Sequence, residues 1–162
     1  MQVTSGGAAD LLRLCEGAFA GERDPWANAA NAAALVFGCL PELNWAGFYF
    51  LRGGELVVGP FQGSVACVRI PVGAGVCGTA ARRKATMIVP DVHAFPGHIA
   101  CDSASNSEIV VPLVAGERLI GVLDLDSPRL DRFTADDARL LEALAAQVVA
   151  ACDWKLAGID GY

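Results

Sequence analysis

Three cysteines and three acids in the middle of the chain are of the types that carry redox and proton chemistry. Cys101 lies in "GHIACDSASNSEIVVP", a Ser-rich stretch in which Asp102 follows the thiol and Glu108 opens an apolar run. Cysteine is usually buried, and Glu is depleted from strands. A thiol on a loop is accessible, as redox chemistry requires, and a second thiol close by completes an attacking and resolving pair. Cys67 begins the apolar stretch "ACVRIPV". Cys77 falls in the first turn of a short helix, where the helix dipole favours thiolate. The plainer reading is that all three are unrelated reduced thiols. The residues alone leave both readings open.

The acids sharpen the question. Asp124 and Asp126 alternate along "RLIGVLDLD", so both point to one face of a strand while Leu123 and Leu125 take the other. Two aspartates on one face of a central strand are costly to bury. A register that pairs Glu108 with Asp124 gathers three carboxyls, whereas a slip of one residue turns Glu108 away. The converged cluster would attract an ammonium group, and crowding would raise at least one carboxyl pKa until it can donate a proton near neutrality. Turn chemistry in Asp126-Ser127-Pro128 is the alternative for Asp126.

Other patterns are weaker. Gly73-Ala-Gly75-Val-Cys-Gly78 fits the dinucleotide fingerprint G-x-G-x-x-G, but its helix is short for a crossover and a hairpin follows instead of a second βαβ unit. Glycines and a helix N-terminus at this point suit a substrate carboxylate as well as a phosphate. His93, His98 and Cys101 have no tight metal spacing, so no metal is expected. Neither the H-x-E/P-C-x-x-C deaminase pattern nor a G-x-S-x-G elbow occurs.

The elements that must position these groups follow from periodicity and turn chemistry. Residues 7–20 have helical spacing. Asp24-Pro25 starts a second helix that stops near Pro41. Strands are expected over 44–51 and 55–61, joined at Gly53-Gly54, then over 66–72. A short helix over 75–84 precedes a strand over 86–92. Residues 93–106 form a long loop with both histidines and Cys101, a length typical of binding loops and lids. Strands over 108–114 and 118–126 make a hairpin over Ala115-Gly116-Glu117. Thr134 and Asp137 start a last helix running towards 154. Meanders flanked by helices argue for one α+β domain over 1–162 with a largely antiparallel sheet.

The 162 residues are 54% hydrophobic and 19% charged, enough for a substantial core. A net charge of -6 repels phosphate backbones, so nucleic-acid binding is not expected. No apolar stretch reaches transmembrane length, and the N-terminus lacks the basic and apolar regions of a signal peptide. A cytoplasmic protein with reduced thiols is therefore expected, and Cys15, Cys39 and Cys152 read as buried hydrophobes in helices.

"GPFQGSVACVRIPVGAGVCGTAA", "VPDVHAFPGHIACDSASNSEIVVPL" and "IGVLDLDSP" together resemble the free methionine-(R)-sulfoxide reductases, a family built on a GAF domain. The resemblance runs from about Asn44 to Arg132. It implies a six-stranded, mostly antiparallel sheet with helices on one side and a loop over the pocket. It implies Cys101 as nucleophile, Cys67 as resolving cysteine forming a disulfide with it, and Cys77 as an auxiliary. Glu108, Asp124 and Asp126 are implied to bind the substrate amine and support sulfoxide protonation, with Trp45 and Tyr49 near the substrate methyl group. It also implies a thioredoxin-type reductant and no cofactor, and a homodimer is expected. A GAF module that only senses a small molecule or its redox state is the alternative.

Overall fold

The computed structural model describes residues 7–159; residues 1–6, on which the leader expectation partly rests, and 160–162 lie outside the described residues. The second helix, α2 (Pro25–Cys39), follows α1 (Leu11–Phe19). Asp24 caps α2, accepting from the backbone N–H of Trp26 at 2.8 Å and Ala27 at 3.2 Å, with Pro25 at the first helical position. Thr134 and Asp137 form a reciprocal capping box at the start of α4 (Ala135–Ala151). This helix ends three residues short of the expected point, and a short 3₁₀ turn, Trp154–Leu156, follows.

Six strands form one antiparallel sheet: β1 (Trp45–Arg52), β2 (Glu55–Gly63), β3 (Arg69–Pro71), β4 (Met87–Val89), β5 (Ser107–Ala115) and β6 (Arg118–Ser127). Their spatial order is β3-β2-β1-β6-β5-β4, with β1 and β6 in the middle. Two expected strands are shorter than their apolar runs. β3 starts at Arg69, so Cys67 lies in the preceding loop and not at a strand start. β4 ends at Val89 because Pro90 has no N–H for the ladder.

The period-2 alternation sorts the side chains to two faces. Ala46, Phe48, Phe50, Ile109, Val111, Leu123 and Leu125 pack under α1, α2 and α4. Trp45, Tyr49, Val110 and Val122 point the other way, towards α3 (Gly75–Arg83). Helices therefore cover both faces, although the three longer ones share one. The expected one-sided arrangement is corrected by α3, whose Val76, Cys77, Ala80 and Ala81 are buried on the opposite face.

The β5–β6 hairpin settles the register of the acids. Ala115 pairs with Arg118, so the turn is the two residues Gly116-Glu117 and not three. That tighter turn alone would slip the pair by one and send Glu108 to the helix-covered core. A bulge between Leu113 and Val114, opposite the extra residue Ile120, adds a second step. Glu108 therefore pairs with Asp126, and Val110 with Asp124. The register differs by two residues from the one that sets Glu108 opposite Asp124, and the face is preserved.

Candidate active site

A cleft of about 510 Å³, solvent at its mouth included, opens on the face that carries α3. The middle strands supply its floor: Trp45 and Tyr49 from β1, Asp124 and Asp126 from β6, and Glu108 from β5. Cys77 from α3 closes one wall. The loop between β4 and β5 supplies His98, Ile99, Cys101, Asp102 and Ser105. Seven of the eight residues expected at a site line this one cleft; the eighth, Cys67, is bonded to it.

Cys67 and Cys101 form a disulfide with their Cα atoms 5.3 Å apart, across a sequence separation of 34 residues. The bond ties the loop after β2 to the loop before β5 at the cleft's mouth. Both half-cystines are only partly buried. Cys77 is excluded from this pair: it is buried and reduced, with its sulfur 3.8 Å from Glu108 Oε1. Burial, followed by the charges of Asp124 and Glu108, raises its pKa well above the usual thiol value. The helix dipole expected to favour its thiolate is outweighed by the acids and by loss of water.

The carboxyls are all shifted upward, mainly because burial penalises the charged form. Glu108 is raised well above the usual carboxylate range, with Asp124 and Asp126 adding to the effect. Asp126 is also raised well above it by burial and by Asp124, against a hydrogen bond from Ser105 that lowers it. Asp124 rises to about 6, held down by hydrogen bonds from Cys77 and Glu108. Burial thus favours the protonated forms of Glu108 and Asp126, and Asp124, at about 6, is the acid of the cluster most ready to ionise. Asp124 lines the cleft, and its Oδ1 is buried with no hydrogen-bond partner.

The aromatic pair does structural work as well. Trp45 stacks on Phe61 and Tyr49 and donates from Nε1 to the Ser64 carbonyl at 3.1 Å. The Tyr49 hydroxyl donates to the Cys67 carbonyl at 3.1 Å, fixing the loop that carries this half-cystine. Burial and the nearby acids keep that phenol protonated. Asp102 is a turn residue: Oδ1 accepts from the Ala104 N–H at 2.9 Å and Oδ2 from Asn44 Nδ2 at 3.2 Å.

Two residues of the site carry no motif signal. Asn44 bridges the start of β1 to the Cys101 loop through Asp102 and through Ser105 Oγ at 3.0 Å. His98 reaches inward until Nε2 lies 3.8 Å from Glu108 Oε2. In the sequence it stands out only as a candidate metal ligand with His93 and Cys101, and the resemblance assigns it no role. Cys77, Glu108 and Asp124 also bring one sulfur and two oxygens within 4.8 Å of one another, close enough to ligate a metal. Ligation would demand protons that burial makes these groups hold, so the set reads first as a hydrogen-bonded acid cluster.

The glycine pattern is explained without a nucleotide. Gly73 N–H donates to the Gly78 carbonyl at 2.7 Å, and a Cβ on Gly78 would meet the Pro71 carbonyl at 2.4 Å. Close packing of α3 on the chain that enters it requires these residues.

Comparison with known proteins gives a consistent picture. The GAF domain family profile matches residues 28–153. The chain is 54% identical over 150 residues to a free methionine-R-sulfoxide reductase of Escherichia coli, covering 91% of each chain. Among solved structures, the free methionine-R-sulfoxide reductase of Neisseria meningitidis in complex with its substrate is 45% identical, with a TM-score of 0.85 and 91% of each chain covered. The fRMsr of Staphylococcus aureus in complex with substrate is 42% identical, with a TM-score of 0.86, covering 93% of this chain and 99% of that one.

Proposed function

The chain belongs to the GAF domain family and, within it, to the free methionine-R-sulfoxide reductases, and from that premise we propose how its residues divide the reduction of free methionine-R-sulfoxide. The observation that carries the proposal is the Cys67–Cys101 disulfide beside a cleft floored by Glu108, Asp124 and Asp126.

Cys101 attacks the sulfoxide sulfur as thiolate. Glu108 or Asp126, held protonated by burial, gives a proton to the sulfoxide oxygen, which would otherwise leave as a poor oxyanion. The sulfur–oxygen bond of the substrate breaks, methionine leaves, and the oxygen remains on Cys101 as a sulfenic acid. Cys67 condenses with it, forming the disulfide and releasing water. The methionine sulfur gains the two electrons that the cysteine pair loses.

Asp124 pairs with the substrate ammonium. Its unpartnered Oδ1, and a pKa of about 6 that makes it the acid most ready to ionise, suit a cation. A methionine sulfoxide residue inside a peptide has no such charge, which accounts for a preference for the free amino acid. Trp45 and Tyr49 supply an apolar wall for the methyl group. Cys77 supports Glu108 from behind. The start of α3, lined by Ala74, Gly75 and Val76, suits the substrate carboxylate.

A dithiol protein of the thioredoxin type reopens the disulfide by exchange, which the partial exposure of both half-cystines favours. Four reduced, buried cysteines beside one redox pair fit a cytoplasmic setting. Among the described residues no helix is long and apolar enough to cross a membrane. The homodimer rests on the resemblance and is checked by sedimentation.

The test is direct. The protein is incubated with racemic methionine sulfoxide and dithiothreitol, and methionine and both epimers are quantified. The R epimer should disappear with the S epimer untouched, and Cys101→Ser should abolish turnover. Tight binding without turnover would favour a sensor.

A further inference from the structure

His98 is the polar side chain of the cleft that the scheme above leaves without a task. It stands on the loop that carries Cys101, three residues before the thiol, and lines the same cleft. Its side chain is 15% exposed, and Nε2 lies 3.8 Å from Glu108 Oε2. Glu108 Oε1 faces the other way, towards the Cys77 thiol. Oε2 is therefore the oxygen that looks out to the loop. The separation is longer than a hydrogen bond, so proton transfer requires the ring to approach Oε2.

The reaction has a proton problem at this place. Cys101 must lose its proton to attack, yet the acid-lined cleft, with Asp124 the acid most ready to ionise, opposes a further negative charge. The sulfoxide oxygen, at the same moment, must gain a proton. We propose that His98 joins the two needs: it takes the thiol proton of Cys101 and passes it to Glu108, which delivers it to the sulfoxide oxygen. This inference rests on the reductase reading above.

The balance closes without any added reagent. The S–H bond of Cys101 breaks and its proton goes to the imidazole. Glu108 gives its own proton to the oxygen and is refilled from the imidazolium. Cys101 sulfur, oxidised by two electrons, ends bonded to that oxygen as the sulfenic acid, and methionine sulfur is reduced by the same two. No net charge is created in the cleft, which is the condition the acid cluster imposes.

The state of His98 suits a base. Burial, and then the charge of neighbouring His93, lowers its pKa, so the ring is neutral near pH 7. The titratable groups around it are His93, whose charge acts on it, Glu108 on β5, and, lining the same cleft, Cys101 and Asp102 on its own loop, Cys77 on α3, and Asp124 and Asp126 on β6. Of these, His93 is engaged elsewhere, its Nε2 being 2.9 Å from Asn106 Oδ1.

The experiment uses the reduced full chain and free methionine-R-sulfoxide. A single-turnover rate of methionine formation is measured across pH 5–9 for wild type, His98→Gln and His98→Ala, with a thiol titration first to confirm that both Cys67 and Cys101 are reduced. Wild type should show an acid limb where His98 takes up a proton. His98→Gln should lose that limb and fall by about 10²-fold or more at neutral pH, with KM for the sulfoxide within about threefold. Imidazole should restore the His98→Ala rate in proportion to its concentration. An unchanged acid limb in His98→Gln, or a rate within about threefold of wild type, overturns the proposal. Wild-type turnover in the same assay tests the reductase reading, so the two failures are distinguishable.

Discussion

At the scale of single residues, three carboxyls a few ångströms apart are given different tasks by their surroundings. Asp124 receives hydrogen bonds from both Cys77 and Glu108 and so ionises first, at about 6. Glu108 also has the Cys77 thiol beside it, but burial and the charges of Asp124 and Asp126 outweigh that contact and favour its protonated form. The division predicts different kinetic signatures for two isosteric changes. If Asp124 pairs with the ammonium as proposed, Asp124→Asn should raise KM for methionine sulfoxide at least tenfold, a loss of about 1.4 kcal/mol or more. Glu108→Gln removes a proton donor and should lower kcat by about 10²–10⁴-fold with a smaller change in KM. Steady-state kinetics with dithiothreitol as reductant separate the two. If Glu108→Gln raises KM and spares kcat, the assignment of donor and ammonium partner is reversed.

At the scale of elements, the site depends on details that short-range patterns carry unevenly. The helix caps at Asp24 and Thr134, and the alternation that puts Asp124 and Asp126 on one face, are legible because each depends on residues within a turn or two of the chain. The pairing of Glu108 is not, because it depends on a tight turn and a bulge whose one-residue shifts add to two and so keep its face while changing its partner. The roles of His98 and Asn44 are illegible for a related reason: both arise from the path of a loop across the sheet. The Gly-x-Gly motif is legible but misleading, since its third glycine serves packing. Gly78 sits where a Cβ would meet the Pro71 carbonyl at 2.4 Å and Gly73 N at 2.9 Å, both backbone atoms that cannot yield cheaply. Gly78→Ala should therefore push α3 away from the sheet, costing about 1–3 kcal/mol in urea denaturation. Cys77 moves with that helix, so KM for the sulfoxide should rise as well. A variant with wild-type stability would show that α3 is not wedged against Pro71.

At the scale of the whole molecule, the sheet is asymmetric: one face is a dry core beneath three helices, and the other encloses carboxyls that would be better solvated unfolded. Burial that makes proton donors also makes stability depend on pH, and the sign follows from the direction of the shifts. Below about pH 4 the acids are protonated in both folded and unfolded chains, and they contribute no difference. As pH rises, the unfolded chain ionises first, which favours unfolding, while the folded chain keeps its protons. Stability should therefore fall from about pH 4 upward, with Asp124 completing its part just above its folded value of about 6 and Glu108 and Asp126 continuing the fall beyond. Asp124 alone accounts for about 3 kcal/mol of that loss. Urea denaturation of reduced protein between pH 4 and pH 8 should show the decline in wild type and a shallower one in an Asp124→Asn, Glu108→Gln double variant. The two curves should meet towards pH 4 and separate in favour of the variant above pH 6. Free methionine should narrow the gap at high pH, because its ammonium compensates the Asp124 charge in wild type and finds no such charge in the variant. Parallel curves across that range would mean that the acids ionise as freely in the fold as out of it, and the cleft would then lack the protons that sulfoxide reduction needs.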